Sequence, residues 1–188
     1  MARARRQWRR QQGGFDPARL VFIDESAAKT NMTRLRGRAP RGKRLVASCP
    51  HGHWRSTTII GAVRLDGSTA CTTIDGATNT QTFRDYVRTV LVPTLRSGDI
   101  VVLDNLAPHK SAETCALITA TGATVRFLPA YSPDLNPIEL MWSKIKALLR
   151  RAEARTLPDL LKAIAAATKE VTAADTMNWF AHCGYSFI

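Results

Sequence analysis

Residues 20–26 read LVFIDES, four apolar residues followed at once by an acidic pair. A short run of this kind, without polar alternation, is typical of a strand buried on both faces of a sheet. Residues 100–105, IVVLDN, repeat the apolar run, followed here by a single acidic residue. A carboxylate directly after a buried strand lies at the edge of the sheet, where layered α/β proteins build their sites. We therefore predict an α/β fold with two buried strands that end at Asp24 and Asp104.

The rest of the chain alternates between strand and helix patterns. β-branched stretches predict strands, and apolar residues spaced three and four apart predict helices. In chain order, the further predicted elements are strands at 45–48, 56–64 and 68–74, a helix over 83–91, a strand at 100–103, a helix over 111–121, a strand at 124–128, and helices over 138–149 and 157–171. The pair Asp66-Gly67 is typical of a hairpin turn. This order predicts a mixed sheet with helices on its faces.

Positive charge is abundant and concentrated. The 188 residues include 27 Lys and Arg against 15 Asp and Glu, a formal net charge of +12. An excess of this size usually marks a polyanionic partner such as nucleic acid. Two segments without acidic residues, 3–10 and 29–44, carry 12 of the 27 basic residues. Such runs can be merely solvated, but because no acidic residues compensate these two, we predict phosphate contact.

Neither a membrane span nor an export signal is expected. No apolar run approaches the roughly 20 residues that cross a bilayer. The arginine-rich start is not followed by the apolar stretch of a signal peptide. We expect a cytoplasmic protein with no membrane partner.

Residues 128–139, LPAYSPDLNPIE, form a proline-rich loop that runs into a helix. Three prolines at four-residue spacing stiffen the loop, and Asn136 and Pro137 suit the cap and the first position of the helix. One interpretation makes Glu139 part of a capping box, with a structural role only. The other is that so rigid a loop fixes the position of one carboxylate.

Three carboxylates are thus candidates for one site, namely Asp24, Asp104 and Glu139. With no His or Cys companion, these oxygen donors favour Mg²⁺. Two such ions can stabilise the attacking and leaving oxygens of a phosphodiester. Glu25 competes with Asp24 for the first position, but consecutive strand residues point to opposite faces, so we expect only Asp24 in the site.

Three segments resemble the signatures of DDE transposases. They are residues 24–26 (DES), 103–110 (LDN through HK) and 131–139 (YSPDLNPIE). The 34 residues between Asp104 and Glu139 are similar to the spacing in the insertion-sequence six-thirty and mariner-like branch. The likeness extends over nearly all of the chain from Leu20 onward.

The resemblance implies an RNase H-like catalytic domain over 20–188, preceded by a basic segment at 1–19. Asp24, Asp104 and Glu139 would be catalytic residues and metal ligands, with Mg²⁺ as cofactor and Mn²⁺ as its substitute. The implied activity is hydrolysis of a phosphodiester at the ends of an insertion sequence, followed by attack of the freed 3′-hydroxyl on target DNA. The implied location is the cytoplasm of a bacterium, in association with the nucleoid.

Implied partners are double-stranded DNA, as transposon ends and as target, and a second copy of the chain in a synaptic homodimer. Family members carry helix-turn-helix domains before the first strand, whereas 19 residues precede it here. We therefore expect either a separate helix-turn-helix polypeptide or a truncated copy. Asn105 and His109 are expected near the site without binding metal. The expected DNA contacts are Arg34, Arg36, Arg38, Arg41, Lys43, Arg44, His51, His53, Lys110, Lys146 and Arg150.

Three alternatives stay open on the residues alone. A remnant of a truncated transposase could keep the basic surface and bind DNA without cutting it. A different RNase H-like nuclease, such as a junction resolvase, would share the carboxylates but not the proline-rich motif. Cys49, His51 and His53 are close enough in sequence for a zinc site, although their spacing matches no familiar zinc pattern.

Overall fold

A five-stranded mixed sheet forms the centre of the computed structural model, which describes residues 2–105 and 107–185. Its strands are β1 (Leu20–Lys29), β2 (Ser56–Arg64), β3 (Thr69–Asp75), β4 (Ile100–Leu103) and β5 (Thr124–Phe127). The spatial order is β3-β2-β1-β4-β5. β1 pairs antiparallel with β2, and β2 with β3, whereas β1, β4 and β5 are parallel neighbours. The predicted mixed sheet is confirmed.

Six α-helices in the described residues cover this sheet. They are α1 (Ala2–Gln12), α2 (Thr80–Tyr86), α3 (Ala112–Thr119), α4 (Pro137–Ala152), α5 (Leu157–Lys169) and α6 (Ala173–His182). α2 continues through a wider turn, Val87–Leu91, as far as the predicted helix extends. Within the described ranges, none of these helices has the length and apolarity needed to cross a membrane.

Alternate residues of β1 enter two apolar cores, one on each face of the sheet. Leu20 and Phe22 pack with α4, α5 and α6, and the Phe22 ring meets Phe180 edge-on with centroids 5.3 Å apart. Val21 and Ile23 pack on the opposite face with α2 and α3. Because both faces are covered, β1 begins as a continuous apolar run. The same alternation sends the next two residues, the acidic pair, to opposite faces.

Two strand predictions were wrong. β1 does not end before Asp24 but continues to Lys29, because residues 24–29 pair with residues 56–61 of β2. Asp24 therefore lies inside a strand, two residues beyond the last pairing of β1 with β4 at Phe22. Residues 45–48 form no strand; they belong to an exposed loop, residues 31–55, in which no neighbouring strand pairs with them. We call residues 31–55 the basic loop.

The N-terminal segment contains a helix that the sequence patterns did not predict. α1 packs Trp8, which is 6% exposed, and Gln12 against the core that includes α4 and α6. Trp8 Nε1 donates a hydrogen bond to Tyr185 Oη at 2.9 Å, and Gln12 Nε2 donates one to the Cys183 carbonyl at 2.8 Å. The first helix is thus packed onto the domain that follows it.

Candidate active site

The three predicted carboxylates line one cleft of about 430 Å³. Asp24 comes from β1, Asp104 directly follows β4, and Glu139 lies in the first turn of α4. β1 and β4 are parallel neighbours, which brings the first two residues to the same edge of the sheet. The rest of the lining comes from Asn105 and from the proline-rich loop, residues 128–136.

Asp24 is held by an indole from α4. Trp142 Nε1 donates a hydrogen bond to Asp24 Oδ2 at 3.1 Å, and Trp142 is only 2% exposed. The indole can lie against the sheet because Gly61, which faces Asp24 across the β1–β2 pair, has no side chain. A Cβ at Gly61 would lie 2.8 Å from Trp142 Cη2.

The environment of Asp24 opposes its ionisation. Burial raises the pKa of Asp24 to about 7, against a smaller opposing effect of a backbone hydrogen bond at Glu25. The negative charges of Glu139, Glu25 and Asp104 add to the rise. A cation bound among these carboxylates would offset their mutual repulsion and favour their ionised forms.

Asp104 is held by a buried histidine. His109 Nδ1 lies 2.5 Å from Asp104 Oδ1, and His109 Nε2 lies 3.0 Å from Glu25 Oε1. Burial alone would lower the pKa of His109, but the hydrogen bonds to Asp104 and Glu25 raise it to about 9. The imidazole is therefore protonated at neutral pH and donates to both carboxylates. Glu25 reaches this histidine from the face of β1 opposite to Asp24, as strand alternation predicts.

The proline-rich loop leads into α4, the helix that carries Glu139, and no capping box forms at the start of this helix. Pro137 begins α4, and Asn136 occupies the cap position, but its side chain makes no capping hydrogen bond. Asn136 Oδ1 is buried and has no hydrogen-bond partner in the described structure. The interpretation of Glu139 as part of a capping box is therefore wrong, and its exposed side chain lines the cleft.

α1 holds the same loop from outside. The two terminal nitrogens of Arg5 donate hydrogen bonds to the two carboxylate oxygens of Asp134 at 2.8 and 2.7 Å. Arg5 also donates to Ser132 Oγ at 2.9 Å. Between these contacts and the cleft, Tyr131 has a φ of 55°, in the left-handed region. Such a conformation costs about 1–3 kcal/mol for a residue other than glycine and persists only where its surroundings impose it.

The donor set of the cleft suits a divalent cation that prefers oxygen ligands. Asp24, Asp104 and Glu139 offer carboxylates only, which favours Mg²⁺ or Mn²⁺ over zinc. Within residues 2–105 and 107–185, no three His, Cys, Asp or Glu side chains are already close enough to share one ion. An open arrangement fits Mg²⁺, because this ion keeps several waters and is usually bound through only one or two carboxylates.

The predicted DNA contacts lie outside the cleft lining. Eight of them are exposed residues of the basic loop: Arg34, Arg36, Arg38, Arg41, Lys43, Arg44, His51 and His53. Lys110 is exposed next to His109, and Lys146 and Arg150 are half-buried on α4. Cys49, beside the two loop histidines, is an exposed free thiol, and the described residues contain no zinc cluster there.

The sequence analysis expected Asn105 and His109 near the site, and the structure places both there. It missed Trp142, Gly61 and Arg5, although the first two left a signal. Trp142 lies three residues after Glu139, a spacing at which helix side chains are neighbours, but it was interpreted only as part of the apolar stripe of the helix. Gly61 interrupts a β-branched strand, which often marks the close approach of another group. The contact of Arg5 with Asp134 has no local signal, because 128 residues separate the two in the chain.

Comparison with known proteins finds a family of endonucleases. Residues 19–161 match a family model described as DDE superfamily endonuclease. Among curated protein sequences, none matches the chain. Solved structures that resemble it include a Mos1 strand transfer complex, with 17% identity and a TM-score of 0.71 over 95% of this chain and 56% of that one.

Two further structures extend the likeness. The mariner Mos1 paired end complex with Mg shares 16% identity over 96% of this chain and 58% of that one, with a TM-score of 0.68. The catalytic core domain of BIV integrase shares 14% identity over 80% of this chain and 81% of that one, with a TM-score of 0.52. The predicted RNase H-like fold is confirmed. The chain spans little more than half of the Mos1 chains.

Proposed function

Because this chain belongs to the DDE endonuclease superfamily, we propose that it is the catalytic domain of a transposase that acts at the ends of an insertion sequence. Its reaction is metal-dependent hydrolysis of a phosphodiester in double-stranded DNA, followed by attack of the freed 3′-hydroxyl on a target strand. The observation that carries the proposal is the cleft lined together by Asp24, Asp104 and Glu139. The fold shared with a strand transfer complex supports it.

In this proposal, each carboxylate is held in place by a neighbouring side chain or by a rigid loop. Asp24, Asp104 and Glu139 would bind Mg²⁺, with Mn²⁺ as a substitute, and two bound ions would stabilise charge on the attacking and leaving oxygens. Trp142 orients Asp24 through its indole N–H. His109 orients Asp104 and compensates part of the negative charge around it. The rigid proline-rich loop fixes the start of the helix that carries Glu139.

DNA is the proposed partner, as transposon ends and as target. The net charge of +12 and the exposed arginines of the basic loop supply the attraction to phosphates. We propose that two copies act together on paired ends, by similarity to the complexes described as Mos1 paired end complexes. Reading of specific ends by a separate helix-turn-helix polypeptide is part of the same proposal.

Nicking of supercoiled plasmid tests the proposal without knowledge of the ends. We expect the wild type to nick the plasmid in Mg²⁺ or Mn²⁺ and not in EDTA. Asp104→Ala should abolish nicking while DNA binding persists. Asp85→Ala is the matched control, because it removes a carboxylate from α2, away from the cleft lining.

Two results would contradict the proposal. DNA binding without metal-dependent nicking would favour the alternative of a DNA-binding remnant. Nicking that survives in Asp104→Ala would mean that a contaminant or another site cuts the DNA.

A further inference from the structure

One aromatic side chain lies in the cleft without a structural partner. Tyr131 is 84% exposed and lines the cleft together with Asp104 and Glu139. Within the described residues, its hydroxyl has no hydrogen-bond partner and its ring stacks on no other aromatic ring. Tyrosine normally buries most of its ring in a folded protein. Packing therefore does not explain an aromatic residue at this position.

The structure restrains the backbone that carries this exposed ring. Tyr131 has a φ of 55°, a region that bulky residues rarely adopt. Arg5 Nη1 donates a hydrogen bond to the Tyr131 carbonyl at 3.3 Å and another to Ser132 Oγ at 2.9 Å. Pro129 and Pro133 restrict the loop on either side. A backbone that is already restrained loses little conformational freedom when its residue binds a ligand.

An exposed ring on a restrained backbone, beside a phosphodiester site, suits a nucleobase. Every base offers a flat π-face, so stacking on an aromatic side chain does not require a particular sequence. Bases inside a duplex already stack on one another, so a base must be unpaired or extruded before a protein ring can cover it. The ligand class that fits Tyr131 is thus an unpaired base close to the phosphate that is cut.

We propose that Tyr131 binds DNA by stacking on an unpaired nucleobase next to the phosphate held at Asp24, Asp104 and Glu139. This inference rests on the proposed function, because it places DNA in the same cleft. Tyr131 then selects DNA whose end is open or frayed. Arg5 positions the backbone of Tyr131 through its hydrogen bond to the Tyr131 carbonyl.

A DNA-binding experiment on the full chain tests whether the Tyr131 ring stacks on an unpaired base. The probes are a duplex with a three-nucleotide single-stranded overhang and the same duplex with abasic sites in the overhang, both in Ca²⁺ to prevent cutting. The wild type should bind the first about tenfold more tightly, equivalent to about 1.4 kcal/mol. That is within the range measured for stacking of one base. Tyr131→Phe should keep this preference, and Tyr131→Leu should lose it.

Tyr131→Gly guards against a folding artefact, because glycine adopts a φ of 55° without strain and removes the ring. It should lose the preference like Tyr131→Leu while its Tm equals or exceeds that of the wild type. If all four proteins bind DNA with the same preference between probes, the inference is overturned and the proposed function stands. If the wild type binds neither probe, both are overturned.

Discussion

Gly61 is a single residue on which the geometry of Asp24 depends. An added methyl would lie 2.8 Å from both Trp142 Cη2 and Cys71 Sγ, closer than carbon and sulfur atoms can pack. We expect Gly61→Ala to destabilise the protein by about 1–3 kcal/mol through overpacking. The displaced indole should also release Asp24 and lower the rate of plasmid nicking.

Thermal denaturation and nicking of Gly61→Ala check this prediction. Gly13→Ala is the control, because a Cβ at Gly13 meets no atom within 4 Å. Trp142→Phe separates the two effects: it keeps an aromatic ring but removes the hydrogen bond to Asp24, and a loss of about 1.4 kcal/mol in the transition state would slow nicking about tenfold. Full activity in both Gly61→Ala and Trp142→Phe would show that the indole does not position Asp24.

The raised pKa of Asp24 predicts a pH dependence of stability in the absence of metal. In the folded protein this pKa is about 7, against an ordinary value of 3.8. Protonation therefore favours the folded state, and the resulting stabilisation is complete below pH 3.8 and is lost as the pH rises through about 7. The pKa of His109, raised from 6.5 to about 9, acts in the same direction at higher pH.

Asp24→Asn isolates the first of these groups. In EDTA at pH 8, we expect this variant to have a higher Tm than the wild type, because the amide carries no charge in the buried position. The difference should shrink at pH 5, where Asp24 is protonated. Addition of Mg²⁺ at pH 8 should raise the Tm of the wild type and not that of the variant. An Asp24→Asn protein with a Tm below that of the wild type at both pH values would contradict the assignment.

For single residues, the sequence predicted which carboxylates line the cleft together but not which hydrogen bonds hold them in place. Asp24, Asp104 and Glu139 stand in local patterns, an apolar run or a proline-rich loop, that can be read along the chain. The hydrogen bonds of Trp142 and His109 depend on how α4 and the turn after β4 dock on the sheet. Tertiary packing of this kind has no fixed spacing in sequence, so the periodicity of α4 identified Trp142 only as a core residue.

Among the elements, α1 links the N-terminal basic segment to the proline-rich loop. Trp8 anchors the helix in the core, and Arg5 holds Asp134. We expect Trp8→Ala to cost about 3–5 kcal/mol, which should lower the Tm by roughly 10 °C. Arg5→Ala should leave the Tm almost unchanged, since the Arg5–Asp134 ion pair lies at the surface. It should nevertheless slow nicking, because the loop that carries Tyr131 and leads to Glu139 loses its restraint.

Arg10→Ala is the matched control for Arg5→Ala, because it removes the same charge from an exposed position of α1. Plasmid nicking and thermal denaturation of both variants test whether Arg5 positions the proline-rich loop. Equal nicking by the two variants would mean that α1 contributes charge but does not position the loop.

Elements could be predicted from sequence where one face or both faces are buried. The limits of β2 were predicted as 56–64 because its β-branched residues are buried in the sheet. Residues 45–48 (LVAS) are also mostly apolar but lie in the basic loop, where no strand pairs with them. The second half of β1 was missed because Ser26 to Lys29 are small or polar and are strand only through their pairing with β2. α1 was missed because its arginines hide a buried face of two residues, Trp8 and Gln12.

Over the whole molecule, positive charge is concentrated in α1 and in the basic loop rather than spread evenly. Six of the eight predicted DNA contacts in this loop are arginine or lysine residues with exposed side chains. Each phosphate contact releases condensed counterions, so the logarithm of the binding constant falls with the logarithm of salt concentration, with a slope of about 0.9 per contact. Loss of a direct phosphate contact in the loop should therefore reduce this slope, whereas loss of a charge that contacts no phosphate should not.

The double variant Lys43→Ala/Arg44→Ala should reduce the salt slope of binding to duplex DNA by up to about 2, one unit for each lost phosphate contact. The control Lys162→Ala/Lys169→Ala removes the same charge from exposed positions of α5 and should leave the slope unchanged. Fluorescence anisotropy between 50 and 200 mM salt (roughly the range in which such contacts change affinity most) measures both slopes. If the two double variants lower the slope equally, DNA responds to the total charge of the molecule and the basic loop has no special part in binding. If only the loop variant does so, phosphates of the duplex contact Lys43 and Arg44 of the basic loop directly.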